Sequence, residues 1–127
     1  MAAPDAAPHF PQQVPIDAYG KGGFAFAGMS HRGSLLCLPS GLWAWPVTSP
    51  ADIDDTALAP VFAAAGEIDL FILGTGKDPW FMPPPLRAQL SAAGMVADVM
   101  TTGPAVRTYN ILLGERRRIA AGLIAVE

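Results

Sequence analysis

Hydrophobic positions change their period partway along the chain. In the first half, Ile16-Asp17-Ala18-Tyr19 and Phe24-Ala25-Phe26-Ala27 flank Gly20-Lys21-Gly22-Gly23, and residues 34–38 and 42–47 flank Pro39-Ser40-Gly41. Short apolar runs around glycine-bearing turns predict two β-hairpins, because glycine enters positive φ without a Cβ clash. Trp43 and Trp45 fall on one face of the last of these strands and Leu42 and Ala44 on the other, so the tryptophans are expected to pack against a helix. Asp52 to Asp55 then opens a helical stretch ending near Gly66. Pro60 interrupts it, and an interior proline costs about 3 kcal/mol. A short turn followed by a helix starting near Pro60 removes that conflict.

The second half alternates strand and helix. Ile68-Asp69-Leu70-Phe71-Ile72-Leu73 is a nearly continuous apolar run, as expected of a strand covered on both faces, and it ends in Gly74-Thr75-Gly76. After Pro83-Pro84-Pro85 a helix is predicted, with Leu86, Leu90 and Ala93 inward and Gly94 as its stop. Residues 95–100 form the next strand, ending in Thr101-Thr102-Gly103; Pro104 opens a helix to about Glu115, and residues 118–126 supply a last strand. Parallel strands joined through a helix take a right-handed crossover, which sets both Thr-Gly turns at one edge of the sheet. Open α/β sheets bind ligands there. The reading is one α/β domain over residues 15–127, preceded by a disordered Ala/Pro-rich tail over residues 1–14.

Composition narrows the function classes. The chain has 127 residues, enough for one domain with a real core, and at 51% hydrophobic and 15% charged it is too apolar for a disordered protein. A net charge of −3 argues against nucleic-acid binding, which draws on a basic stripe. The run Arg116-Arg117-Arg118 reads as a solvated helix–strand junction. The single cysteine, Cys37, excludes an intramolecular disulfide framework and a cysteine-rich metal site, and it suits a reducing, cytoplasmic setting. No apolar run approaches the roughly 20 residues of a transmembrane segment, and the N-terminal stretch lacks the basic start of a signal peptide.

The candidate site is the crevice between Gly74-Thr75-Gly76 and Thr101-Thr102-Gly103. With Pro104 as the first helical residue, the amides of Ala105, Val106 and Arg107 have no intrahelical partner, and with the helix dipole and Arg107 they outline a site for a small anion. The alternative is that the turns are tight and self-capped. Pro79 stands where a Gly-x-Gly-x-x-Gly fingerprint needs its third glycine, and no Gly-Lys-Ser/Thr phosphate loop occurs. On the following helix Val106, Tyr109, Leu112 and Leu113 share the inward arc. Arg107 and Asn110 lie at its edge, facing the crevice or locking neighbouring loops through backbone carbonyls; Thr108 and Ile111 point away.

Catalytic chemistry finds little to work with. His9 lies in the tail and His31 stands alone near a strand start, with no Ser–His–acid set and no metal-ligand spacing. Cys37 reads as an inert core thiol. No catalytic residue, metal or cofactor is assigned. Trp80-Phe81-Met82, beside three prolines, has the large, stiffened apolar character of a protein-binding anchor, or else folds over its own core.

Several segments together resemble a known family. Gly74-Thr75-Gly76, Met100-Thr101-Thr102-Gly103, Ala105-Val106-Arg107-Thr108-Tyr109-Asn110-Ile111-Leu112, Glu115, Arg117 and Ala120-Ala121-Gly122-Leu123-Ile124 carry the pattern, with Tyr19-Gly20, Gly33-Ser34-Leu35-Leu36 and Leu38-Pro39-Ser40-Gly41 in the first half. It is similar to a small α/β domain family that includes the adipogenesis-associated domain protein and a mitochondrial complex I assembly factor. The resemblance implies a single three-layer domain, a mixed central sheet with helices and an extra β-hairpin layer, and no established enzymatic activity. The function expected is a non-catalytic binding or assembly factor with a protein partner, for a respiratory or other membrane-protein complex. The alternative is a small-molecule enzyme or sensor holding an anionic ligand in the crevice. Homo-oligomerisation stays open.

Overall fold

The computed structural model describes residues 9–127. Two sheets organise the chain. β1 (Ala18–Gly20), β2 (Gly23–Phe26) and β3 (Met29–Arg32) form an antiparallel three-stranded sheet. β4 (Ser34–Leu38), β5 (Gly41–Trp45), β6 (Leu70–Gly74), β7 (Val96–Met100) and β8 (Ile119–Leu123) form the central sheet, in the order β5-β4-β8-β6-β7. β6 is parallel to both β7 and β8, whereas β4 is antiparallel to β5 and β8, so the sheet is mixed. Three helices complete the fold: α1 (Asp55–Ala63), α2 (Pro84–Ala92) and α3 (Thr102–Gly114).

Strand alternation divides the interior. Leu36, Leu38, Phe71, Leu73, Ala97 and Ala120 face α1 and α2, with Leu58, Val61, Leu86 and Leu90 opposite them. Leu35, Cys37, Ile72, Ile119, Ala121 and Leu123 face the other way, toward Ala105, Val106 and Tyr109 of α3 and toward Phe24 and Phe26 of the small sheet. The layers are helices, central sheet, then α3 beside the antiparallel sheet. Two tryptophans lie as their spacing predicts: Trp45 is buried and its indole N–H donates to the Ala57 carbonyl of α1 at 3.0 Å, and Trp43 packs beside it at the rim. Gly122 makes this packing work. A Cβ there would stand 2.6 Å from Trp45 Cη2 and 3.3 Å from Phe71 Cζ.

The structure departs from the sequence expectations in several places. α1 does not restart at Pro60; it runs through it, capped by the Asp54 carboxylate accepting from Ala57 N at 2.9 Å. The bond that proline deletes would have gone to the carbonyl of Thr56, an exposed residue that water can serve. β3 escaped notice because Met29-Ser30-His31-Arg32 has no apolar alternation; its pairing with β2 holds it. The chain ahead of the domain divides. Residues 1–8 of the expected tail lie outside the described residues, whereas residues 9–14 form a docked strap. Leu42 N donates to Phe10 O at 2.9 Å, Gln13 Nε2 to Ile119 O at 2.8 Å and the Tyr109 hydroxyl to Val14 O at 3.0 Å. Those partners satisfy the strap's backbone, which composition alone could not foresee.

Candidate functional site

Both Thr-Gly turns do stand at one edge of the central sheet, joined directly. Thr75 N donates to Met100 O at 2.8 Å, and Thr102 N donates to Gly76 O at 2.9 Å. Thr102 is fully buried between them: its hydroxyl donates to Ile124 O at 2.7 Å and accepts from Gly76 N at 2.9 Å. The Thr75 hydroxyl turns back to Asp78 O at 2.7 Å. Gly74 is small for a packing reason, since a Cβ there would sit 3.1 Å from both the Ala105 Cβ and the Thr102 Cα where α3 crosses β6.

α3 begins at Thr102, two residues earlier than Pro104 suggests, with Thr101 as its N-cap. This changes the expected set of free amides. Ala105 N bonds to Thr101 O at 3.1 Å, and Val106 and Arg107 lie far enough into the helix for ordinary i to i−4 pairing. Pro104 has no N–H. That leaves the amide of Gly103, and the Tyr19 hydroxyl lies over that residue, 2.5 Å from where a Gly103 Cβ would be. Sequence reasoning missed Tyr19, which is adjacent to a hairpin turn and carries no signal of this long-range contact.

Arg107 and Asn110 part company. Arg107 is exposed, and its side chain makes no hydrogen bond or ion pair among the described residues. Asn110 acts on backbone: Oδ1 accepts from Ile16 N at 2.8 Å and Nδ2 donates to Ile16 O at 2.9 Å, imitating a neighbouring strand. With the Tyr109 hydroxyl on Val14 O, the Tyr109-Asn110 pair clamps the strap to α3. Burial, then the neighbouring Cys37, push the Tyr109 hydroxyl well above the usual phenol range, so it remains a neutral donor.

The three residues of the apolar loop have different fates. Met82 is buried in the core and Trp80 packs against it, half-buried, while Phe81 is 97% exposed. Of the three residues expected to form an anchor, Phe81 alone is exposed, on a loop whose two neighbours pack inward. Two residues further along the chain, Pro83 helps line a groove of about 440 Å³ between the start of α1 and α2, together with Ile53, Asp54, Thr56, Leu86 and Gln89 among others. Sequence reasoning did not foresee this groove, because the approach of Ile53 to Pro83 and Leu86 is tertiary.

Desolvation pushes the fully buried Cys37 thiol up to about 12. Burial lowers the His31 imidazole below its ordinary value, against the opposing effect of the hydrogen bond to Ser34 O, and the His9 ring lies 4.5 Å away, centroid to centroid. No buried side-chain nitrogen or oxygen lacks a partner among the described residues. No helix among them is long and apolar enough to cross a membrane.

Residues 16–124 match the family described as "Protein of unknown function (DUF498/DUF598)". The chain belongs to that family. An uncharacterized protein of Rhodobacter capsulatus is 41% identical over 92% of this chain and 89% of its own length. NADH dehydrogenase [ubiquinone] 1 alpha subcomplex assembly factor 3 of Mus musculus is 30% identical over 91% of this chain and 62% of its own, so the chain spans less than two thirds of that relative. A crystal structure described as an outer membrane protein from Bartonella henselae is 45% identical and superposes with a TM-score of 0.90 over 94% of this chain and 100% of the other. The Asn110–Ile16 bonds, the joined turns and the Trp45–Gly122 contact fall within the matched residues, whereas the strap of residues 9–14 precedes them.

Proposed function

We propose that this family member is a non-catalytic binding factor that assists assembly of a membrane-protein complex, of respiratory type, by docking a protein partner on Phe81 and the groove that Pro83 helps line. The carrying observation is Phe81, 97% exposed on a loop held by buried Met82 and half-buried Trp80. Covering a fully exposed phenylalanine contributes about 1.5–3 kcal/mol, enough for one side chain to dominate a modest interface. Support for the assembly role comes from the relatives named as complex I assembly factors. A reducing cytoplasmic location belongs to the same proposal, consistent with a lone, fully buried thiol.

The test is complementation in the native organism. Deleting the gene lowers the amount of assembled respiratory complex on native gels, wild type restores it, and Phe81→Ser does not. Arg107→Ala, which lies away from the groove on α3, restores it as wild type does. Unchanged complex levels in the deletion strain would refute the assembly role; full rescue by Phe81→Ser would refute the docking surface.

A further inference from the structure

Among the described residues, one of the two edges of the central sheet is covered and the other is not. At β5 the strap adds itself as a short extra strand, with Phe10 pairing antiparallel to Leu42. β7 forms the other edge. Val96 N donates to Asp69 O at 3.0 Å and Met100 O accepts from Thr75 N at 2.8 Å, so Val96, Asp98 and Met100 turn their backbone groups toward β6. Ala97 and Val99 therefore turn theirs outward. The Ala97 carbonyl accepts from Arg87 Nη1 at 3.1 Å, but the Ala97 amide and both backbone groups of Val99 have no partner among the described residues.

Two side chains beside this edge, Val96 and Asp98, are exposed as well. Val96, Asp98 and Met100 share the face toward α3, yet α3 lies over β6 and β8, leaving Val96 66% exposed and Asp98 exposed. The Thr108 hydroxyl reaches Met100 Sδ at 3.6 Å, and one turn further along α3 Ile111 is 61% exposed. The edge thus carries free main-chain donors and acceptors, apolar Val96 and Ile111 at its flank, and one carboxylate. The ion pair among the described residues joins Arg118 to Asp69, so Asp98 has no cation of its own.

We propose that β7 accepts an extended segment of a partner protein as a sixth strand, with a Lys or Arg opposite Asp98 and apolar residues on either side of it. Main-chain bonds to Ala97 and Val99 supply affinity and the alternating side chains supply selectivity. A second copy meets a penalty in the register that engages both outward residues. The register that pairs Ala97 with Val99 of another copy sets the two Asp98 carboxylates directly across from each other, where like charges destabilise. Asp98 and Arg87 guard the edge against self-pairing, and a basic strand turns the same guard into recognition. This surface is separate from the Phe81 groove, and each stands or falls without the other.

The probe is a short peptide of alternating valine and threonine whose central valine is replaced by lysine. With it, hydrogen exchange at the Ala97 and Val99 amides slows at least tenfold, and the same peptide with central glutamate, or N-methylated on alternate amides, leaves exchange unchanged. Asp98→Lys reverses the preference toward the glutamate peptide, and Asp98→Asn abolishes it. Equal protection by both peptides would overturn the proposal, as would no protection at saturating lysine peptide. Protection that grows with protein concentration alone would assign the edge to a second copy instead.

Discussion

Thr102→Val is the sharpest test of the joined turns. Valine keeps the shape and β-branching of threonine and removes only the hydroxyl. In the fully buried setting of Thr102, this strands two backbone groups at once: Gly76 N, which donates to the hydroxyl at 2.9 Å, and Ile124 O, which accepts from it at 2.7 Å. Each buried group left unsatisfied costs about 1–3 kcal/mol. The two share one hydroxyl and relax together, so the expected loss is about 3 kcal/mol, short of the sum of the extremes. For a chain of this length such a loss lowers Tm by roughly 10 °C. Urea unfolding followed by tryptophan fluorescence reads it, with an unchanged m-value showing that the folded state keeps its compactness. Amide exchange at Gly76 adds a local measure and accelerates beyond the global change. A loss below about 0.5 kcal/mol, the range of neutral surface changes, would show that solvent reaches the junction and that the turns are not locked.

Gly122→Ala forces a methyl group to within 2.6 Å of Trp45 Cη2, and overpacking of this kind costs about 1–3 kcal/mol; the fluorescence of Trp45 shifts to the red as its ring is displaced. Asn110→Ala frees both backbone groups of Ile16, so limited proteolysis cuts the strap near residues 14–17 faster while the exchange-protected sheet persists. Cys37, with its thiol pushed up to about 12, resists alkylation at pH 8 in the native state and reacts only on unfolding, and rapid native labelling would contradict its burial. His31, held below its unfolded value by desolvation, contributes stability that is complete above about pH 6.5 and is lost as pH falls toward its folded value. His31→Gln flattens that part of the stability–pH profile.

Much of the fold was legible because the relevant signals are local. Gly20 through Gly23 and Pro39-Ser40-Gly41 mark turns whatever surrounds them, and the apolar run ending at Leu73 declares a strand covered on both faces. The site was legible only in outline. Thr-Gly at the ends of β6 and β7 predicted their shared edge, because crossover handedness leaves little choice. It did not predict that Thr102 would spend its hydroxyl on both turns, or that Asn110 would hold the strap instead of facing a ligand, since each depends on a residue far away in sequence.

The apolar loop shows the same division. Trp80, Phe81 and Met82 are all large and mainly apolar, yet the packed core admits Met82, half-covers Trp80 and leaves Phe81 outside. Periodicity, turn chemistry and charge by themselves determined most of the strands and helices, though not β3 or the exact starts of α1 and α3, and they set the two turns at one edge. Those properties follow from backbone sterics and side-chain spacing within a few residues. Only the tertiary structure decided which polar groups were already satisfied and which apolar ones were left for a partner. Satisfaction and exposure belong to pairs of distant residues, and no local window of the chain contains both members.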